Sequence, residues 1–365
     1  MTGANEGLAS GGIASDGLAS DGTVNGVASD WLASGGVASG TGRRLRLIVL
    51  GASGFLGRHV RQRACAAGLD VVTAGRSPLP DSSAHCLIDL GAQDPARLAG
   101  TLSTLAPDVV VNCAGATAGP PEALAAVNVT GTYDLVRAML MAGRPARLVH
   151  LGSAAEYGPG EPGTAVAESA PPRPASAYGA TKLAGTRLVE LGRAAGLDAV
   201  VLRVFNPVGP GAPDGILPGR LVSEFRRALA DGSEVQLGPL DAVRDFVDAR
   251  DVADAVIAAA LAPGPTAPDG PDGPDGPDER LPDAVINVAS GQGRPARTLA
   301  RELAAISGYD GPVHENTDGS PRSAVPSWQQ ADIGLARRVL GWQPRRGLAE
   351  SLADLWEECR DPASR

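Results

Sequence analysis

Lys182 is the only lysine in a chain of 365 residues, and it stands four positions after Tyr178 in Tyr178-Gly179-Ala180-Thr181-Lys182. All the other basic side chains among the 32 Lys and Arg residues are arginine. On a helix, residues i and i+4 share a face, so this phenol and this ammonium point the same way. A neighbouring ammonium favours the phenolate and lowers a tyrosine pKa towards neutrality. Such a pair can give a proton to an oxygen or take one away near pH 7. Arginine would keep the charge, but its planar fork does not replace a compact point charge. The plain alternative is an exposed helix carrying an accidental Tyr/Lys pair, and the rest of the chain argues against it.

A second chemical signal lies far upstream. Gly51-Ala52-Ser53-Gly54-Phe55-Leu56-Gly57 follows the apolar run Arg46-Leu47-Ile48-Val49-Leu50 and precedes a helical pattern. The first glycine allows a tight turn, the middle one lets backbone approach a pyrophosphate at a helix N-terminus, and the third lets helix pack on strand. The spacing is GxxGxxG rather than GxGxxG. In a chain with 48 glycines the match has weight only because a strand precedes it and a helix follows.

The elements that must position these groups alternate. Strands are predicted at 46–50, 70–73, 109–111, 147–151 and 200–204, with helices between them, including Ala123 to Met141 and Ala177 to Ala195. This order predicts an α/β fold, a doubly wound parallel sheet with helices on both faces. The second half is less regular, with short strands near 235–237 and 285–288, and predicts a smaller mixed lobe. The expected domains are 44–205 for the dinucleotide and 206–365 for substrate, interleaved with the sheet. Residues 262–282 form a Pro-Asp-Gly-rich insert, flexible by composition. Residues 1–43 repeat Gly7-Leu8-Ala9-Ser10 in degenerate form and read as a disordered low-complexity tail.

Bulk properties narrow the function. A net charge of −9 and a pI near 5.0 argue against nucleic acid and acidic membrane as partners. Four scattered cysteines without a CxxC suit a reducing cytoplasm and provide no metal site. There is no apolar run of membrane-spanning length and no basic secretory leader.

With GASGFLG and YGATK both present, the chain from about residue 45 to 357 resembles the extended short-chain dehydrogenase/reductase family, the nucleotide-sugar epimerase, dehydratase and reductase group. The resemblance implies a Rossmann fold and assigns roles. Gly51, Ser53, Gly54, Phe55, Leu56 and Gly57 would cradle the dinucleotide. Asp89-Leu90 resembles the pair at the adenine, and Ala114-Gly115, in Asn112-Cys113-Ala114-Gly115, the strand end along the cofactor. Gly152-Ser153-Ala154-Ala155-Glu156-Tyr157-Gly158 places Ser153 in the catalytic hydroxyl position, with Tyr178 as proton donor and Lys182 on the ribose; Tyr157 is read as a packing aromatic. Asn128 (in Val127-Asn128-Val129-Thr130-Gly131-Thr132), Asn206, Arg244 and Arg322 fall where substrate contacts are expected. The Arg322 match is weaker, because the family's Arg-Pro-x-Asp continuation reads Arg322-Ser323-Ala324-Val325 here.

The cofactor follows from the end of the second strand, Val72-Thr73-Ala74-Gly75-Arg76-Ser77. An acid there would bind the ribose 2′-hydroxyl of NAD, whereas an arginine accommodates a 2′-phosphate. Arg76 therefore favours NADP(H) over NAD(H). In the group's dehydratases Asp-Glu follows the catalytic hydroxyl residue; here Ala154-Ala155 does, and two methyl groups move no protons. Ser-x-x-Glu-Tyr-Gly, Phe-Asn-x-x-Gly-Pro-Gly and Leu-Asp-Ala-x-Arg-Asp-Phe together resemble GDP-4-keto-6-deoxy-mannose reductases. The expectation is reduction of a 4-keto-6-deoxy nucleotide sugar. The alternatives are a 4-epimerase holding NAD, a reductase of a non-sugar ketone, and a silent dinucleotide-binding regulator. By analogy with relatives the chain is expected to form a homodimer through the Tyr/Lys helix.

Overall fold

The computed structural model describes residues 43–80, 82, 84–263, 285–315 and 328–359. Residues 1–42, 81, 83, 264–284, 316–327 and 360–365 lie outside them, and with them the repetitive tail up to residue 42, the Pro-Asp-Gly-rich insert from residue 264 on, and Arg322.

The strands are β1 (Arg46–Leu50), β2 (Asp70–Gly75), β3 (His85–Leu87), β4 (Val109–Asn112), β5 (Arg147–Ser153), β6 (Ala199–Val204), β7 (Asn206–Val208), β8 (Val235–Gln236), β9 (Val243–Asp248), β10 (Val285–Val288), β11 (Gly293–Pro295) and β12 (Val313–His314). The helices are α1 (Phe55–Ala66), α2 (Pro95–Leu105), α3 (Pro121–Ala125), α4 (Gly131–Ala142), α5 (Ala177–Ala194), α6 (Leu217–Asp231), α7 (Ala249–Leu261), α8 (Arg297–Ser307), α9 (Gly334–Leu340) and α10 (Leu348–Glu358).

Seven strands form one parallel sheet in the order β10-β6-β5-β4-β1-β2-β3. The continuous apolar runs are explained by burial on both faces. In β1, Leu47 and Val49 enter one core with Val60 and Ala64 of α1 and Val252 and Val256 of α7. Their neighbours Ile48 and Leu50 enter the other, with Leu98 of α2, Leu135 and Met139 of α4 and Val189 of α5. The chain order reverses between β1 and β4, so the strand ends open a crevice there, where α/β sheets bind ligands.

After β6 the chain builds a mixed sheet, β11-β9-β7, with β7 parallel and β11 antiparallel to β9. Leu221 and Phe225 of α6, Leu299 and Leu303 of α8, and Leu352 and Leu355 of α10 form its core. Between β9 and β11 the chain returns to the main sheet through β10, which pairs with β6. Phe225 is fully buried, edge-on to Tyr309 with ring centroids 5.4 Å apart. Phe225→Ala should lower unfolding stability by about 3–5 kcal/mol in urea titration; a loss below about 1 kcal/mol would mean that this core is loosely packed.

The predicted helix from Ala123 to Met141 is not one regular α-helix. Residues Ala126–Thr130 widen into a π-type turn between α3 and α4. Such wide turns mark places where a helix yields to a local demand, and here the demand is at Asn128. Its buried side chain accepts from Ala116 N (2.9 Å) and donates to Ala116 O (2.9 Å) and Thr181 Oγ1 (3.1 Å). The wide turn thus pins the loop after β4 to α5.

Candidate active site

The glycine turn joins β1 to α1 at the crevice. Gly51 has φ +72°, a left-handed conformation. Its amide donates to Ala74 O at 2.9 Å, and a Cβ there would stand 2.8 Å from Ala114 N. A Cβ on Gly57 would stand 2.1 Å from Gly51 O, so only glycine lets α1 sit this close to the turn. No side chain caps α1, and its first turn holds no carboxylate. With Ser53 and Gly54 exposed and Phe55 and Leu56 half-buried, the first amides of a twelve-residue helix face the crevice. Uncapped amides and the helix dipole suit a pyrophosphate.

The flanking strand ends complete this cradle. Arg76 is exposed directly after β2, and Asp89 is exposed after β3. Leu90 is buried, and a Cβ on Gly131 would lie 2.9 Å from Leu90 Cβ. Ala114 lies against Gly51, and a Cβ on Gly115 would meet Asn128 Oδ1 at 3.4 Å and Lys182 Nζ at 3.9 Å. Gly115 thus brings the strand end to the Tyr/Lys helix.

Helix α5 starts at Ser176, whose Oγ accepts from Gly179 N at 3.1 Å. A Cβ on Gly179 would lie 2.4 Å from Ala155 O, so the first turn of α5 packs directly on the turn after β5. This puts the half-buried Tyr178 beside the Ser153 turn. Ser153 Oγ accepts from Ala155 N at 3.2 Å and remains partly exposed. Lys182 is buried, and its Nζ donates to Leu151 O at 2.5 Å, two residues before Ser153. Burial pulls the Lys182 ammonium below its ordinary pKa, against the fields of Glu156 and Cys113. Burial also pushes the Cys113 thiol up to about 12. Ser153, Tyr178 and Lys182 therefore gather at the C-terminal end of β5.

The substrate-side residues divide. Asn206 on β7 donates from Nδ2 to Asp245 O at 3.0 Å, which brings it beside Arg244 on β9. Arg244 donates to Val243 O at 2.8 Å, and burial lowers its pKa. Asp245 is fully buried and accepts from Ser290 N, Ser290 Oγ, Gly291 N and Ala331 N, fixing the strand beneath Arg244. Asn128, expected among the substrate contacts, spends its amide on Ala116 and Thr181 instead. Arg322 lies outside the described residues. Tyr157 is buried, and its hydroxyl donates to Asn287 Oδ1 at 2.8 Å.

Sequence reasoning missed Glu156, Arg203 and Thr181. Glu156 left a readable mark, because Ser153-Ala154-Ala155-Glu156 has the S-x-x-E form of a capping box, and both of its hydrogen bonds are present. Arg203 and Thr181 left none, since the partners that give them their place, Glu156 and Asn128, are remote in sequence.

The chain belongs to the NAD dependent epimerase/dehydratase family, whose model matches residues 47–268. It is thus an enzyme of the short-chain dehydrogenase/reductase type, with the Rossmann sheet described above. It is 38% identical over 320 residues to dTDP-6-deoxy-L-talose 4-dehydrogenase (NAD(P)(+)) of Kitasatospora kifunensis, covering 85% of this chain and 94% of that one. It is 27% identical to GDP-6-deoxy-D-mannose reductase of Pseudomonas aeruginosa, covering 86% and 97%. Among solved structures it is similar to MoeE5 in complex with UDP-glucose and NAD, with a TM-score of 0.69, 29% identity, and 87% and 98% of the two chains covered.

Proposed function

We propose that this enzyme reduces a 4-keto-6-deoxy-hexose nucleotide with NADPH. The observation that carries the reading is the turn after β5. Ser153 is followed by Ala154 and Ala155, and the acid of that turn, Glu156, is fully buried and hydrogen-bonded away from the crevice. The turn can orient a carbonyl but holds no free carboxylate to expel water from a sugar. The 38% relative, named for the 4-position of a dTDP-6-deoxy sugar, supports the same reading and favours a dTDP-sugar.

The residues fit a nicotinamide dinucleotide along the uncapped start of α1, the β4 end and Lys182. When bound, that group supplies the hydride. Tyr178 gives its phenolic proton to the keto oxygen while the carbonyl carbon gains the hydride, so the ketone becomes a secondary alcohol. Ser153 Oγ donates to the same oxygen and fixes its direction. Lys182 holds the ribose hydroxyls and favours the phenolate that remains. Residues 44–205 carry the dinucleotide and 206–365 the sugar nucleotide, with Arg244 and Arg322 gripping the diphosphate and Asn206 beside it. The protein works in the cytoplasm as a homodimer. Exposed Tyr133, Leu140 and Met141 of α4 and Leu191 of α5 support that pairing through the Tyr/Lys helix face.

The test is loss of reduced-nicotinamide absorbance with a dTDP-4-keto-6-deoxy sugar, run in parallel with NADPH and NADH. Consumption of NADPH is expected. No consumption with either, but interconversion of sugar isomers by NMR, would make the chain a 4-epimerase. Arg76→Ala should raise KM for NADPH about 10- to 100-fold, the worth of a charge-assisted phosphate contact, and leave KM for NADH unchanged. An equal effect on both would remove Arg76 from the 2′-phosphate.

A further inference from the structure

Beneath the gathered Ser153, Tyr178 and Lys182 lies a buried ionic pair, and the chemistry proposed above gives it no role. Glu156 is fully buried, and its carboxylate is shared among three donors from three elements. Oε1 accepts from Ser153 N at 2.8 Å. Oε2 accepts from Thr186 Oγ1 at 2.9 Å and from Arg203 Nε at 2.8 Å. Thr186 lies on α5 one turn after Lys182 and is itself fully buried. Space is reserved for this carboxylate: a Cβ on Gly152 would stand 2.7 Å from Oε1. Arg203 is fixed in turn, with its guanidinium 4.5 Å above the centre of the Tyr157 ring.

A buried, multiply bonded carboxylate is costly to desolvate, and a pair of well-packed apolar residues would often stabilise a core at least as well. A role beyond stability is therefore worth seeking. We propose that Glu156 is a positioning residue of the active site, locking the Ser153 turn to the Tyr178/Lys182 helix and supplying the buried counter-charge to Lys182. The inference rests on the catalytic reading of Ser153, Tyr178 and Lys182.

The surroundings of Lys182 support the second half. Nζ donates to a neutral acceptor, Leu151 O. The titratable groups that face it are Cys113 after β4, His150 on β5, Tyr178 on its own helix and Glu156. Burial holds the Cys113 thiol up near 12 and the His150 imidazole well below its ordinary value, so at neutral pH neither carries charge. Glu156, partly offset by Arg203, is the buried carboxylate whose field opposes the cost of burying the ammonium. Without it, the lysine loses its proton at lower pH.

Because Lys182 is the only lysine, protein grown with 13Cε-lysine gives a single side-chain resonance, whose pH titration reads this ammonium directly and needs no substrate. In Glu156→Gln the titration midpoint should fall by roughly half a unit or more. On the nucleotide sugar that the wild type turns over, kcat should fall about tenfold or more, with NADPH affinity held within about twofold. An unchanged midpoint would overturn the counter-charge, and an unchanged kcat would overturn the positioning role. Where Glu156→Gln does not fold, Thr186→Val keeps the Glu156–Arg203 pair and cuts only the tie to α5. Loss of kcat at unaltered dinucleotide affinity is then expected, and wild-type kcat would overturn the proposal. Should the wild type reduce no keto sugar while the midpoint still moves, the proposed function falls and the counter-charge stands.

Discussion

Tyr178→Phe is expected to reduce kcat by about a thousandfold or more while dinucleotide affinity stays within about twofold. The substitution removes one oxygen and keeps the ring, so α5 and its packing on Ala155 are preserved. In the proposed arrangement the dinucleotide is held elsewhere, by α1, the β4 end and the Lys182 ammonium. In the proposed reaction the proton for the keto oxygen has no second source at that place: Ser153 Oγ is an ordinary hydroxyl on a capped turn, and Lys182 is buried against Leu151 O. Steady-state kinetics on the keto sugar, with NADPH binding followed by fluorescence, separates the two quantities. Residual activity above about a tenth of wild type would show that another group delivers the proton.

Gly57→Ala is expected to weaken dinucleotide binding by about 10- to 100-fold, equivalent to about 1–3 kcal/mol of overpacking, and to lower the unfolding midpoint as well. The added methyl would lie 2.1 Å from Gly51 O, 2.8 Å from Gly51 C and 3.0 Å from Ala52 Cα. All three are backbone atoms, so no flexible side chain can give way. Helix α1 must lift off β1 and carry its first amides away from the crevice. Gly54→Ala is the internal comparison: its methyl would meet only Gly51 O, at 3.2 Å, and binding should weaken much less. Equal effects at the two positions would show that the turn relaxes and that close packing at Gly57 does not set the cradle.

The parts of the candidate site readable in sequence are those written in local spacing. The glycine turn, the Tyr178/Lys182 pair and the position of Arg76 after β2 are each confined to a few residues next to a strong apolar run. The main sheet was legible for the same reason, since strands buried on both faces appear as unbroken Val, Ile and Leu. Spacing says nothing about how one side chain reaches across the fold. Asn128 occupies a family position, but its hydrogen bonds run to Ala116 and Thr181, 12 and 53 residues away. The same limit hid the π-type turn, because Ala126 to Thr130 contains no proline or glycine to announce a break. Arg203 sits 47 residues from Glu156, inside a strand whose periodicity reads simply as core.

The distribution of amines has a practical side. With arginine in every other basic position, the protein offers amine-directed reagents its N-terminal amine and the Nζ of Lys182, and the latter is 5% exposed beneath the crevice. Acylating dyes, aldehyde cross-linkers and amine-coupling surfaces will therefore leave the outside of the folded enzyme almost untouched. Whatever reaction does occur at a side-chain amine reports on the exposure of one buried residue, which makes this chain a natural host for a single-site chemical probe.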